Sequence, residues 1–307
     1  MPDFFDAYFA QQIINGLSLG LVYALVAIGF TLIFGILNVV NFAHGEVYTV
    51  GAFAGLLLIV GAAPPLLAVV LFAMAVGAAA GVGLERLAFR PIRRFSDEAS
   101  LKSRAMREAT LLSSLAVSIV TRELMAHVFS GAMQVIPQAA LLQDVIALGP
   151  LTLTNGNVII FGASVVMLGG LQFMLYRTRV GLSIRAVSNN VLGARHVGID
   201  TNRTIVATFA IGSALGAAAG ILVGLYNGNI FPYMGFAPGV KAFVAMVMGG
   251  LSSIPGAVIS ALLLGISESV ATDFLSAGWK DLIAYGLLVV TLIFFPQGLF
   301  GHGRERV

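Results

Sequence analysis

The residues with the most chemistry to offer form a short polar segment between two long apolar runs near the start of the chain. The segment holds Asn38, Asn41, His44 and Glu46. Amide, imidazole and carboxylate groups are costly inside a bilayer unless they face protein or a water-filled path. Where membrane helices break, the unwound backbone also offers N–H and C=O groups to a solute. These residues therefore predict the lining of a solute pathway. An ordinary turn with Glu46 at a helix N-terminus is the alternative.

A second break interrupts the apolar stretch 240–272 at residues 250–256. Pro255 lacks a backbone donor and disfavours helix just before it, and Gly256 loosens the backbone further. We therefore predict two shorter helices around this break. Two breaks in different halves of a membrane protein point to a central pathway. The residues of this break that we predict to line it are Gly250, Ser252, Ser253, Pro255 and Gly256.

The composition of the chain indicates which kind of element must position these residues. Of 307 residues, 58% are hydrophobic and 10% are charged, where a soluble domain carries about 25% charged residues. Too few charges are present to cover a soluble core, which excludes a soluble enzyme, a nucleic-acid binder and a disordered chain. The chain has no cysteine, so thiolate chemistry is excluded as well. We predict an all-α polytopic membrane protein with a single transmembrane domain, residues 1–307.

The expected membrane spans follow from the apolar runs. About 20 apolar residues in a helix cross a bilayer core of ~30 Å. Together with the broken stretch 240–272, the sequence predicts about eight transmembrane helices, some of them broken. The uninterrupted runs are 13–37, 47–61, 66–85, 109–130, 157–176, 204–226 and 281–297.

The basic residues predict the orientation of these spans. Most of the 17 lysines and arginines lie in three segments, 86–107, 177–203 and 304–306. Cytoplasmic loops carry an excess of Lys and Arg, so we expect these three segments in the cytoplasm and 131–156 outside. The protein is then a multi-pass protein of the inner, or plasma, membrane in contact with lipid. The C-terminus reaches the cytoplasm only if the 250–256 break reverses the chain or both of its flanking helices cross the membrane.

Motifs for enzymatic chemistry are weak or absent. Gly16, Ser18 and Gly20 match the spacing of a hydrolase nucleophile elbow, but they lie in an apolar helical run and not in a strand–turn–helix. His127 and His302 have no partner at metal-ligand spacing. The sequence has no P-loop motif, so ATP would have to be bound by a partner. We expect no enzyme activity, no metal and no cofactor in this chain.

Small residues recur every fourth position along one predicted span. Such a face lets a second helix approach closely. The second helix belongs either to this chain, which we favour, or to another membrane subunit. The residues are Gly212, Gly216, Gly220 and Gly224.

Two adjacent charges, Arg122 and Glu123, fall inside the predicted span 109–130. A charge at the centre of a helix costs about 2.5–3.5 kcal/mol on insertion scales. Adjacent residues point about 100° apart on a helix, so the two side chains do not simply pair with each other. They either line the pathway or lie near the outer interface, and we favour the interface.

Several segments together resemble the permeases of bacterial branched-chain amino-acid ABC importers. The matching segments are Asn41-Phe-Ala-His-Gly-Glu46, Glu85-Arg-Leu-Ala-Phe-Arg-Pro91, Lys241-Ala-Phe243 leading to Gly249-Gly250, and Ser253-Ile-Pro-Gly-Ala257. The resemblance runs from about residue 11 to residue 300, with the segments in the same order. The length of the chain is similar to that of the shorter of the two permeases in such systems.

The resemblance implies a set of partners and a substrate. The partners are a second permease subunit, two cytoplasmic ATPases and a periplasmic or lipid-anchored amino-acid-binding protein. Leucine, isoleucine and valine, or related amino acids, are the implied substrates. A segment with a predicted short helix over 182–196 resembles the one that contacts the ATPase. Its implied contact residues are Arg185, Ala186, Asn190, Gly193, Ala194, Arg195 and Gly198.

A self-sufficient secondary transporter or channel is the alternative function. In that case intramembrane Glu46, Glu123 or Glu268 would bind protons or ions. Genes for two ATPases and a binding protein beside this one would favour the importer.

Overall fold

A computed structural model describes residues 2–62, 64–94, 104–148, 151–274 and 278–301. About four-fifths of these residues are helical. The α-helices are α1 (Pro2–Leu37), α2 (His44–Ala62), α3 (Leu66–Leu84), α4 (Arg90–Arg94), α5 (Arg104–Val128), α6 (Asn155–Arg177), α7 (Arg179–Asn189), α8 (Val191–His196), α9 (Thr201–Asn227), α10 (Phe236–Gly249), α11 (Ile254–Phe274) and α12 (Trp279–Phe294). A π-helix (Glu85–Phe89) joins α3 to α4, and the short strands are β1 (Gln134–Val135), β2 (Val145–Leu148), β3 (Leu151–Thr154) and β4 (Asn229–Ile230).

Seven of the described helices are long and apolar enough to cross a membrane. They confirm the predicted all-α, polytopic membrane architecture. α10 is shorter, and its 14 residues reach only about 21 Å at 1.5 Å per residue, less than a bilayer core of ~30 Å. Many apolar side chains of α5, α6 and α12 are exposed, as expected where helices face lipid or another membrane subunit.

Helix α1 lies at the centre of the bundle, where α9, α10 and α11 pack against it. Every residue from Gly20 to Leu32 is buried. Gly16 lies against the backbone of Ile266, and Gly20 lies against the backbone of Leu262. The residue numbers therefore run in opposite directions, so α11 is antiparallel to α1. Without a side chain at these glycines, the two backbones approach closely enough for extensive packing.

The four glycines of α9 all face other elements of this chain. Gly212 lies against Gly29 of α1, and Gly220 lies against the backbone of Tyr48 of α2. Gly216 approaches the His44 ring and Gly224 approaches the Ile230 side chain. The structure thus uses the glycine stripe for packing within the chain.

The break between α10 and α11 reverses the chain direction. Gly249, at the end of α10, lies against Gly256 in the first turn of α11. Gly250 has a φ of 106°, in a region that an L side chain rarely adopts. Pro255 lies within the first turn of α11, a position that suits proline, so the break precedes this residue. The two helices predicted around residues 250–256 are confirmed, with the non-helical residues just before Ile254 and Pro255.

The two ends of the bundle differ in charge. At one end, Ser188 of α7 donates a hydrogen bond of 2.8 Å to the carbonyl of Gly35 in α1, and Arg93 lies within electrostatic range of Arg195. We call this the basic end. At the opposite end, β1 pairs with β4 and β2 pairs with β3, both antiparallel. Since α11 is antiparallel to α1, the α10–α11 turn lies toward the basic end. Of the predicted basic segments, 95–103 and 304–306 lie outside the described residues.

The α9 glycines give a direct test of this packing. We expect Gly220→Ala to lower the free energy of unfolding by about 1–3 kcal/mol, the usual cost of overpacking a core, because the new Cβ would overlap the Tyr48 backbone. Gly162→Ala on α6 is the matched control, since a Cβ there meets no described atom within 4 Å. Thermal unfolding of the purified protein in detergent, followed by the fluorescence of its single tryptophan, measures both. Equal stability of the two variants would contradict the close α2–α9 contact.

Candidate functional site

A small cleft opens between α1, α2, α5 and α10. Its cavity volume is about 50 Å³, enough for a few water molecules but not for an amino acid. Aromatic and aliphatic side chains dominate the lining, and Glu46 is its one charged residue. The lining residues are Phe30, Phe42, Gly45, Glu46, Leu115, Ser118, Phe236, Gly239, Val240 and Phe243.

Glycine contacts bring the beginnings of α2 and α10 together at this cleft. Gly45 of α2 packs against Gly235 and Gly239. The backbone N–H of Gly235 donates a hydrogen bond of 3.0 Å to Oγ1 of Thr49. α10 therefore begins beside the first turns of α2 rather than at the surface of the bundle. A helix that begins inside a membrane protein is typical of transporter sites, because it brings backbone and side chains to mid-membrane depth.

Glu46 supplies the carboxylate of the cleft. The residue is only 2% exposed. Its Oε1 accepts a hydrogen bond of 3.0 Å from the Ser118 hydroxyl, whereas Oε2 has no hydrogen-bond partner within the described part of the chain. Arg122 is close enough to act on this carboxylate electrostatically. A buried carboxylate is costly without partners. A further hydrogen-bond donor at Oε2 would therefore stabilise Glu46.

Arg122 lies at the outer edge of the same cleft. The centre of its guanidinium group is 5.8 Å from the centroid of the Tyr233 ring and 6.0 Å from that of Phe236. Its Nε is buried and has no hydrogen-bond partner among the described residues, while the neighbouring Glu123 is exposed. Of the two alternatives for these charges, the pathway and the favoured outer interface, Glu123 is exposed while Arg122 lies against the aromatic rings of this chain.

The other polar residues of the first break shape the turn between α1 and α2. The side-chain Oδ1 of Asn41 accepts a hydrogen bond of 3.1 Å from the N–H of Ala43. Asn38 adopts a positive φ of 54°, which asparagine tolerates better than most residues. The His44 ring is fully buried and lies edge-on to the Phe30 ring at 4.8 Å. None of these three belongs to the cleft lining, and their predicted pathway role stays a prediction.

The second break lies away from the cleft. The N–H of Leu299 donates a hydrogen bond of 2.7 Å to the Met248 carbonyl, which ties the end of the described chain to this turn. The Ser253 hydroxyl accepts a hydrogen bond of 3.2 Å from Gly256 and so caps α11. The structure therefore does not bring Gly250, Ser252, Ser253, Pro255 and Gly256 to the cleft. The α10 residues that precede the break line it instead.

Comparison with known proteins places this architecture in a family. Residues 12–292 match the family described as branched-chain amino acid transport system / permease component. The chain belongs to this family. It is 36% identical to the high-affinity branched-chain amino acid transport system permease protein BraD of Pseudomonas aeruginosa, with 98% of each chain covered. It is 34% identical to the permease protein LivH of Escherichia coli strain K12, with 96% of each covered.

A relative from an archaeon extends the comparison. The probable branched-chain amino acid transport permease protein LivH of Methanocaldococcus jannaschii is 30% identical, over 92% of this chain and 90% of that protein. The resemblance inferred from the sequence motifs is confirmed by these matches, which span nearly the whole chain.

An ionic network that the sequence did not reveal lies elsewhere in this permease, with Lys241 and Glu268 buried and Asp281 exposed. Lys241 Nζ of α10 is 2.9 Å from Glu268 Oε1 of α11 and 3.1 Å from Asp281 Oδ1 of α12. The Tyr23 hydroxyl of α1 donates a hydrogen bond of 2.9 Å to Glu268 Oε2. The network joins four helices around the half-length α10. A lone lysine and a lone glutamate in neighbouring apolar helices were the signal that could have revealed it.

The segment of the permease that resembles an ATPase contact forms two helices rather than the predicted one over 182–196. Asn190 separates α7 from α8, and its Oδ1 accepts a hydrogen bond of 2.9 Å from the N–H of Gly193. Such a cap begins a new helix. The Arg185 guanidinium lies over the Tyr176 ring at 4.7 Å, and Ala186 is half-buried beside it.

The surface that this segment offers to a partner differs from the predicted one. Ala194 is 4% exposed and lies inside the chain, where its carbonyl accepts a hydrogen bond from Ile199. Arg195 and Gly198 are exposed. The apolar side chains that protrude here are Leu182, Leu192 and Val197.

The ionic network predicts an order of stability among variants. We expect Lys241→Met to cost about 3–5 kcal/mol of unfolding free energy, because it leaves the Glu268 carboxylate buried without its cation. Glu268→Gln should cost less, since Lys241 then keeps Asp281. The double variant Lys241→Met/Glu268→Gln should recover part of the loss. Thermal unfolding in detergent measures all three. Asp273→Asn, at an exposed position of α11, is the control. A double variant less stable than Lys241→Met would contradict the pairing.

Proposed function

We propose that this chain is one of two transmembrane permease subunits of an ATP-driven importer for branched-chain amino acids. The observation that carries the proposal is its likeness, along nearly its whole length, to permease proteins named for this transport. The cleft supports it, because a half-length helix and a buried carboxylate face a largely aliphatic and aromatic space. Such a lining suits a solute that is charged at one end and apolar at the other.

The partners in this proposal are a second permease, two ATPases and a binding protein. The sequence contains no P-loop motif, so ATP must be bound by other subunits. The exposed apolar side chains of Leu182, Leu192 and Val197 at the basic end support ATPase contact there, because exposed apolar groups favour protein interfaces. We place the basic end in the cytoplasm on the positive-inside rule, and therefore the protein in the inner membrane of the cell.

The alternative of a proton- or ion-driven transporter has less support. Of the three acidic residues that it would use, Glu268 is held by Lys241 and Tyr23. Glu123 is exposed on α5. Glu46 alone faces a cleft.

Reconstitution tests the proposed function. The chain is purified with its second permease and two ATPases, placed in liposomes, and supplied with the binding protein and radiolabelled L-leucine. We expect leucine uptake that requires both ATP and the binding protein, with isoleucine and valine as competitors. Uptake by this chain alone without ATP would contradict the importer. An ATP-dependent complex that carries none of the three amino acids would contradict the substrate class.

The contact with the ATPase gives a second test. We expect Leu192→Asp/Val197→Asp to reduce co-purification of the ATPase, because buried aspartates weaken an apolar interface. Val135→Asp is the matched control, since Val135 and Val197 are both 75% exposed and lie at opposite ends of the molecule. Tagged chains extracted in mild detergent give the ratio of ATPase to permease. Full recovery of the ATPase with the double variant would move the contact to another part of the basic end.

A further inference from the structure

We propose that Glu46 and Arg122 bind the two charged ends of the transported amino acid, with the ammonium group at Glu46 and the carboxylate at Arg122. The inference rests on the proposed function and adds to it the residues that recognise the substrate inside the membrane. Glu46 lines the cleft, and Arg122 of α5 lies beside it, against Phe236 of the lining and close enough to Glu46 to act on it electrostatically.

Glu46 has the properties of a site for an ammonium group. Only 2% of its surface is exposed, and it lines the cleft. The Ser118 hydroxyl occupies Oε1 and leaves Oε2 without a hydrogen-bond partner in the described residues. An ammonium group carries donors only, so it complements this free oxygen. Aromatic rings within the same lining add favourable cation–π contact.

Arg122 has the properties of a site for a carboxylate. Its guanidinium lies against the Tyr233 and Phe236 rings, which fix the plane of the group. A planar guanidinium matches the two oxygens of a carboxylate, and paired hydrogen bonds of this kind are among the stronger ones in proteins. Phe236 belongs to the cleft lining, so the arginine stands at the edge of the same space as Glu46.

The remaining lining suits an aliphatic side chain. Phe30, Phe42 and Phe243 form one aromatic cluster, with ring centroids 6.2 Å apart for Phe30 and Phe243 and 5.9 Å apart for Phe42 and Phe243. Leu115 and Val240 complete the apolar surface. A polar or charged side chain would lose its hydration here without finding a partner. The lining therefore selects among amino acids by side chain, while the two charges recognise the part that all amino acids share.

Binding requires the cleft to widen, because a volume of about 50 Å³ is far below that of an amino acid. The contact between Gly45 and the glycines at 235 and 239 closes one side. Because the three contacting residues are glycines, the contact buries no apolar side chain of theirs. Separating α10 from α2 at this point therefore exposes little apolar surface. Lys241 anchors the middle of α10 to α11 and α12, which leaves the start of α10 as the part that moves.

The experiment uses the complete complex in liposomes with the binding protein, ATP and radiolabelled L-leucine. Glu46→Gln removes the charge and keeps the size of the side chain. We expect leucine uptake to fall about tenfold or more, the scale of one lost hydrogen bond between charged groups. We expect ATP hydrolysis stimulated by the loaded binding protein to stay within about twofold of wild type, because docking and coupling do not involve this side chain. Uptake at the wild-type rate would overturn the proposal.

Two further variants separate substrate contact from a structural role. Glu123→Gln, one residue from Arg122 but exposed, is the matched control and should transport leucine normally. Glu46→Asp keeps the charge and covers the case in which Glu46→Gln does not assemble. We expect the Glu46→Asp complex to take up more leucine than the Glu46→Gln complex. If Glu46→Gln does not assemble in the membrane, we expect measurable uptake by Glu46→Asp. An assembled Glu46→Asp complex without leucine uptake, and with normal stimulated hydrolysis, would show that negative charge at 46 is not what the substrate requires.

The double variant Glu46→Gln/Arg122→Gln gives the decisive comparison. If the two residues only neutralise each other, then removing both charges restores much of what either single variant loses. If each binds one end of the substrate, the double variant transports more slowly than either single variant. Recovery of uptake in the double variant would overturn the proposal. Failure of the wild-type complex to carry leucine, isoleucine or valine would instead overturn the proposed function, so the two failures are distinguishable.

Discussion

Close approach of helix backbones is the constraint on which the rest of this structure depends. Lipid tails are as apolar as the side chains of these helices, so the hydrophobic effect does not drive the helices together. Their association relies on dense packing and on hydrogen bonds. Gly29 meets Gly212 at the contact of α1 with α9, and Gly51 meets Ala217 at that of α2 with α9. Where one of the two facing residues is glycine, the space also admits a side chain, and the His44 ring fits between Gly29 and Gly216.

Two pairs of charged residues around α10 have different partners. Lys241 and Glu268 form an ion pair, and Glu268 also accepts a hydrogen bond from Tyr23. Oε2 of Glu46 and Nε of Arg122 have no hydrogen-bond partner among the described residues, and Glu46 lines the cleft. The first pair fixes the position of the half-length helix, and the second leaves capacity at the place where that helix begins. A binding site with a movable wall requires a rigid anchor on the short helix, here Lys241, and unsatisfied polar groups on the helices beside its beginning, here Glu46 of α2 and Arg122 of α5.

Much of the fold could be predicted from the sequence, because apolar length and turn residues are local properties. The α10–α11 break, the all-helical architecture and the family followed from such signals. The pairing of Lys241 with Glu268 could not, since it depends on how distant helices are arranged around α1. The burial of Ala194 escaped for the same reason, whereas the helix cap at Asn190 is a local signal that could have been predicted. At the candidate site, Glu46 was identified as an isolated intramembrane acid, whereas its Ser118 and Phe243 neighbours come from other helices.

The pairing of β1 with β4 has a mechanical consequence. Antiparallel bonds join Gln134 to Ile230, and the N–H of Ile136 bonds to the Gly228 carbonyl at 3.0 Å. The loop that follows α5 is thereby fastened to the strand that precedes α10. Only residues 231–235 separate that strand from the start of α10, so the linkage has little slack. A protein that displaces the loop after α5 would therefore also displace the beginning of α10, which lines the cleft. It would do so without contacting the cleft.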